Sequence, residues 1–164
     1  MKYAEARAQI RTGDLLFFSH GGWKNWHDIQ VSLVRMGTMP EYSHVGVAWA
    51  VNARVFIIHA TGRGVCIEPL SMQGEFTWCP MDAEFSEDVM EKVFTCIGEK
   101  YSKWQAILGF FDKLTPGADA KWQCAEWAEW VYEQSGVVLG TKITPSGLAH
   151  AVLKNGKTLR LVTL

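Results

Sequence analysis

The sequence predicts an α+β protein built on an antiparallel sheet, and three observations carry that prediction. Short strand-like runs crowd the first half of the chain. Apolar residues at helical spacing dominate the second half. Two of the strand-like runs, 43–51 and 54–60, are separated only by Asn52-Ala53, which reads as a hairpin turn. Strands gathered early and helices late belong to α+β rather than to alternating α/β architecture.

The elements follow in order. Gly13-Asp14 is a turn signal, and Leu15-Leu16-Phe17-Phe18 is a first buried strand. Trp26, Ile29, Leu33, Val34 and Met36 recur at helical spacing and predict a helix over 24–36. The segment 37–41, with Pro40, reads as a turn, and the hairpin comes next. Val65-Cys66-Ile67-Glu68 and Phe76-Thr77-Trp78-Cys79 are shorter strands. Ser86 is a candidate N-cap, and Glu87 and Asp88 fall in the first turn, where the helix dipole favours anions. Val89, Val93, Phe94, Ile97 and Tyr101 would form that helix's inner face. A further helix is expected over 103–112, broken by Thr115-Pro116-Gly117. A helix opening near Cys124 runs to about Gly136, with Asp119 as a possible cap. Pro145 suits the first turn of a short helix that starts at Thr144-Pro145-Ser146 and reaches Leu153, and 157–164 reads as a last strand.

A length of 164 residues, with 48% apolar and 20% charged, fits one globular domain spanning 1–164. A net charge of −1 with no dominant basic patch argues against a nucleic-acid partner. Apolar stretches are broken well short of the roughly 20 residues that a bilayer requires, so no transmembrane segment is expected. Met1 to Arg7 carries no apolar signal core. A cytoplasmic location is therefore expected, with a phage-borne or non-classically exported product as the other routes. Cys66, Cys79, Cys96 and Cys124 are widely spaced without a CxxC pair, and read as free thiols.

His44, His59 and Cys124 are the candidate catalytic residues. With a two-residue turn at Asn52-Ala53, Val51 pairs with Arg54, Val47 with Ile58 and Gly46 with His59. His44, Gly46, His59 and Thr61 then share one face of the sheet. The two histidines become diagonal neighbours with Cα atoms roughly 7–8 Å apart, so one imidazole can orient the other. Gly46 and Ala48 are small and would leave room on that face for a helix. The Cys124 helix offers one, because Cys124, Trp127, Ala128, Val131 and Tyr132 form an apolar stripe that should face the sheet. A thiol at a helix N-terminus beside a histidine is a potential nucleophile. His44 would be base and then acid, His59 would hold its tautomer, and the backbone N–H of Cys124 would receive an oxyanion. Tyr42, Tyr101 and Trp122 are candidate substrate contacts. The rival use of two imidazoles and a thiolate is zinc, which no CxxC or HxxxH spacing supports; the reading calls for no metal and no cofactor.

These residues, in this order, resemble the NlpC/P60 superfamily, in particular its circularly permuted branch of YiiX/YebB-like and lecithin:retinol-acyltransferase-like proteins. Gly13-Asp14-Leu15-Leu16-Phe17-Phe18 is similar to the family's strand opener, and Tyr42-Ser43-His44-Val45-Gly46-Val47 to its catalytic-histidine strand. Gly98-Glu99-Lys100-Tyr101 and Trp122-Gln123-Cys124-Ala125-Glu126 are similar to its Gly-x-x-Tyr segment and cysteine helix, and Thr144-Pro145-Ser146-Gly147-Leu148-Ala149 to the element after that helix. Histidine before cysteine implies the permuted topology. The resemblance implies a papain-like fold, with the cysteine helix packed on an antiparallel sheet. It implies a cysteine hydrolase acting through a thioester, with a cell-wall (peptidoglycan) peptide as substrate, as endopeptidase or amidase, in a bacterial or phage setting. Close permuted relatives often carry Glu where this chain has His59. The acyltransferase subgroup has Asn-Cys-Glu at the nucleophile, and Gln123-Cys124-Ala125 departs from it. Two other readings stay open: a lipid or thioester acyl hydrolase or acyltransferase on the same residues, and a catalytically silent binding module.

Overall fold

The computed structural model describes residues 1–19, 42–61, 64–83, 85–98, 120–140 and 144–164. Its strands are β1 (Leu15–Phe18), β2 (His44–Val51), β3 (Arg54–Thr61), β4 (Gly64–Pro69), β5 (Phe76–Cys79) and β6 (Arg160–Val162). Its helices are α1 (Tyr3–Ala6), α2 (Glu87–Thr95), α3 (Ala120–Gln134) and α4 (Pro145–Lys154), with a 3-10 turn at Leu70–Met72. The six strands form one sheet in the order β4-β3-β2-β1-β5-β6, and every neighbouring pair is antiparallel. The α+β class read from the sequence is what this arrangement shows.

The β2–β3 hairpin has the expected register, Val51 opposite Arg54 and Val47 opposite Ile58. Asn52 and Ala53 both take positive φ, 48° and 60°, the backbone twist that a two-residue hairpin needs. On the far side of β3, Thr61 pairs with Gly64, which sets His59 opposite Cys66 and Ile57 opposite Glu68.

Alternation along the strands gives the sheet two apolar faces. On one, Leu15, Phe17, Val45, Val47 and Ile58 pack with Cys124, Trp127, Ala128, Val131 and Tyr132 of α3 and with Leu148, Ala149 and Val152 of α4. On the other, Leu16, Phe18, Ala48, Ile57, Phe76 and Trp78 pack with Ala6, Ile10 and Leu70. All five residues of the α3 stripe are buried, as their spacing requires.

Ser86 caps α2 by accepting from the N–H of Val89, and Thr144 caps α4 by accepting from that of Gly147. Three elements depart from expectation. α2 ends at Thr95, and its inner face is Val89 and Val93; Phe94 is turned outward and meets the Trp49 ring edge-on at 4.9 Å. The last strand is three residues long, and α1, tied to Thr163 by the Tyr3 N–H, had no sequence signal. The predicted helices over 24–36 and 103–112, the turn over 37–41, the break at 115–117 and the Asp119 cap lie outside the described residues. No helix among the described residues is long and apolar enough to cross a membrane.

Candidate active site

His44 opens β2 directly opposite Phe18, and the two rings lie 6.0 Å apart on the same face. His59 reaches that face from β3. The rings meet at 4.9 Å between centroids, and His44 Nε2 lies 2.8 Å from His59 Nδ1. One proton fits between those two nitrogens, so one ring donates and the other accepts. His59 is buried, whereas His44 is half-buried at the strand's end. Gly46 makes this closeness possible: a Cβ there would fall 2.6 Å from two Ile57 side-chain carbons and 2.9 Å from His59 Cβ.

The segment before His44 is pinned from α4. The Ser146 hydroxyl accepts from the Tyr42 N–H at 2.9 Å and donates to the Tyr42 carbonyl at 3.3 Å. The first turn of α4 therefore fixes where the histidine strand begins.

Cys124 approaches the same strand from the other side. The small residues Gly46 and Ala48 suggested a helix on the histidine face, but α3 packs against Val45, Val47 and Ile58 on the opposite face. The room next to Gly46 is filled by Ile57 from the neighbouring strand rather than by a helix. The Cys124 thiol still reaches β2, where it is hydrogen-bonded by the backbone N–H of Val45, the residue after His44. Cys124 is wholly buried, and burial pushes its thiol up from the ordinary value, while the N–H groups of Val45, Ala125 and Cys124 pull it back.

Cys124 is the fifth residue of α3, not its first. At that depth its N–H belongs to the helical ladder, and the dipole has faded. The expected lowering of the thiol is replaced by a rise. Cys66, Cys79 and Cys96 are in no disulfide, as their spacing implied. Cys79 is fully buried, and burial pushes its thiol up to about 12.

Tyr42 packs into the core, its ring 5.1 Å from Phe17, and is 3% exposed. Trp122 lies on the backbone of α3 two residues before Cys124, and Tyr101 falls outside the described residues. Among the described residues, no three His, Cys, Asp or Glu side chains are grouped to hold a metal ion.

One neighbour of the imidazole pair was missed. Glu68 Oε2 lies 3.7 Å from His59 Nε2, and the Gln73 side chain donates to the same oxygen at 2.6 Å. The signal was the spacing of Thr61 and Gly64: two residues between them set the β3–β4 register, which brings Glu68 to the histidine face.

No family model matches the chain, and no curated protein does. Among solved structures, the chain is similar to metalloprotein yiiX from Escherichia coli O157:H7, a DUF1105 protein, at 18% identity and a TM-score of 0.49. That similarity covers 94% of this chain and 89% of the other.

Proposed function

We propose that this protein is a cysteine hydrolase of permuted papain-like type that cleaves an amide bond through a thioester on Cys124, with a cell-wall peptide as substrate. The observation that carries this reading is the 2.8 Å contact between His44 Nε2 and His59 Nδ1, on the strand whose next amide holds the Cys124 thiol. With Nε2 of His44 turned to His59, its remaining nitrogen is Nδ1, the one nearer its own backbone.

The chemistry follows from the buried thiol. Burial disfavours a standing thiolate, so the anion forms only as the proton moves to His44. Sγ attacks the carbonyl carbon, and its proton is carried to His44 Nδ1 past the end of β2, since ring and thiol lie on opposite faces of that strand. The C–N bond breaks, and His44 returns that proton to the leaving amine. Water then attacks the thioester, His44 takes a proton from it, and the thiol is restored as the acid departs. His59 holds the His44 ring throughout.

The test is cleavage of a fluorogenic peptidoglycan stem peptide. Wild type is expected to cleave it, Cys124→Ala to be inactive, and His44→Ala to lose about 100-fold or more. Cleavage that survives in Cys124→Ala would sink the proposal.

The complete burial of Cys124 and its raised thiol favour a second reading, a silent binding module that keeps the fold. It predicts that Cys124 alkylates no faster than Cys79 at neutral pH, with or without His44.

A further inference from the structure

We infer that Glu68 is a positioning residue that selects the tautomer of His59 and, through it, the nitrogen at which His44 acts as base. The inference rests on the hydrolase reading above. It begins with the shared proton between His44 Nε2 and His59 Nδ1. A neutral imidazole carries one N–H and one lone pair. For His44 to accept a proton at Nδ1, its own N–H must sit on Nε2 and point at His59. His59 must then accept at Nδ1, which leaves its proton on Nε2.

That proton faces Glu68. The carboxylate oxygen stands 3.7 Å from His59 Nε2, a charge contact rather than a hydrogen bond, and the His59 side chain is only 6% exposed. In such a site a carboxylate favours the ring form that directs its N–H outward to the charge. The opposite tautomer would turn a lone pair toward the carboxylate. It would also place the proton of His59 on Nδ1, which makes His44 Nε2 the acceptor and leaves the His44 N–H on Nδ1. His44 would then already carry its proton on Nδ1 and could not accept one there.

Glu68 is itself held. Gln73, which closes the 3-10 turn at Leu70–Met72, donates to Oε2 at 2.6 Å and keeps the charged oxygen in place. Ile57, opposite Glu68 in the register, fills the hollow at Gly46 and fixes β3 beneath the pair. The chain from turn to carboxylate to His59 to His44 therefore runs across three strands on one face. When His44 becomes positive during the reaction, the negative charge at the far end of that chain stabilises it.

The test measures tautomers in the resting protein and turnover separately. Nitrogen-15 histidine NMR of wild type is expected to show the His59 proton on Nε2. Glu68→Met, which removes the charge and the acceptor at similar size, is expected to move His59 toward the Nδ1–H form. Its kcat should fall on the order of tenfold to a hundredfold, the usual cost of losing a carboxylate that orients an imidazole, with KM retained. A wild-type His59 with its proton on Nδ1, or a tautomer ratio that Glu68→Met leaves unchanged, overturns the inference. Turnover retained in His44→Ala would sink the hydrolase reading instead, and the nitrogen-15 result would still decide the role of Glu68.

Discussion

The sheet carries two polar assemblies, one buried and one partly buried, and they are built on opposite principles. At the start of β1, the Asp14 carboxylate accepts from the Arg11 N–H at 2.9 Å, the Trp78 indole N–H at 2.8 Å and the Met81 N–H at 3.0 Å. Each partner there can only donate, and ionised Asp14 can only accept, so the roles are fixed. On the far faces of β2 and β3, His44 and His59 share one proton, and each ring can donate or accept at either nitrogen. The first assembly has one hydrogen-bonded arrangement and acts as an anchor. The second has two, and a proton can be moved through it. What separates the two assemblies is the ambiguity of the donors.

The comparison breaks most readily at the anchor. Asp14 joins the turn before β1 to β5 and to the segment after it, and Tyr132 of α3 donates to the Gly13 carbonyl beside it. Asp14→Ala would leave three N–H groups without their acceptor, at about 1–3 kcal/mol for each that water cannot reach. The expected loss is about 3–5 kcal/mol in urea denaturation. A loss below about 1 kcal/mol would mean that Asp14 is not an anchor.

The next effect falls on the imidazole pair. In Gly46→Ala, the new methyl would meet Ile57 at 2.6 Å and His59 Cβ at 2.9 Å. Ile57 can yield a little, but His59 Cβ is tied to the strand. Overpacking of this kind costs about 1–3 kcal/mol, and the contact between the rings should open. Alkylation of Cys124 is expected to become independent of His44 in this variant, while the fold persists. Alkylation kinetics and stability both equal to wild type would show that the hollow is not what brings the rings together.

The two assemblies were not equally legible in the sequence. The β2–β3 register could be read because Asn52-Ala53 is two residues long and the flanking runs alternate. That register sets both histidines on one face. Asp14 was visible only as a turn residue, since its partners Trp78 and Met81 lie 64 and 67 residues away and meet it through the β1–β5 pairing. Local pattern does not encode such a pairing. The side taken by α3 was misread for a related reason. Small side chains at Gly46 and Ala48 looked like room for a helix, but Ile57 on the next strand fills that volume. Which neighbour fills a hollow depends on cross-strand partners rather than on one strand's sequence. Glu68 was within reach of the same reasoning that found the hairpin, applied one turn later.

The smallest expected effect sharpens the contrast between Cys79, beside the anchor, and Cys124, beside the imidazole strand. Burial, and after it the nearby Asp14 charge, push the Cys79 thiol from 9.0 up to about 12. Its folded value thus lies above its unfolded value, so the native state keeps a proton that the unfolded chain releases. The associated stability is present in full below the unfolded value of 9.0 and is lost progressively as pH rises toward about 12. At pH 10, one unit above the unfolded value, the loss should be about 1.4 kcal/mol relative to pH 8. Cys79→Ala removes the titrating group, so the difference between its pH 8 and pH 10 stabilities should be smaller than that of wild type by this amount. An equal difference in the two proteins would show that the thiol ionises in the native state. Burial raises Cys124 as well, but there the N–H groups of Val45, Ala125 and Cys124 oppose the rise. A thiol enclosed without a base is kept protonated by its surroundings. At Cys124 backbone donors work against burial, whereas at Cys79 the nearby Asp14 charge adds to it.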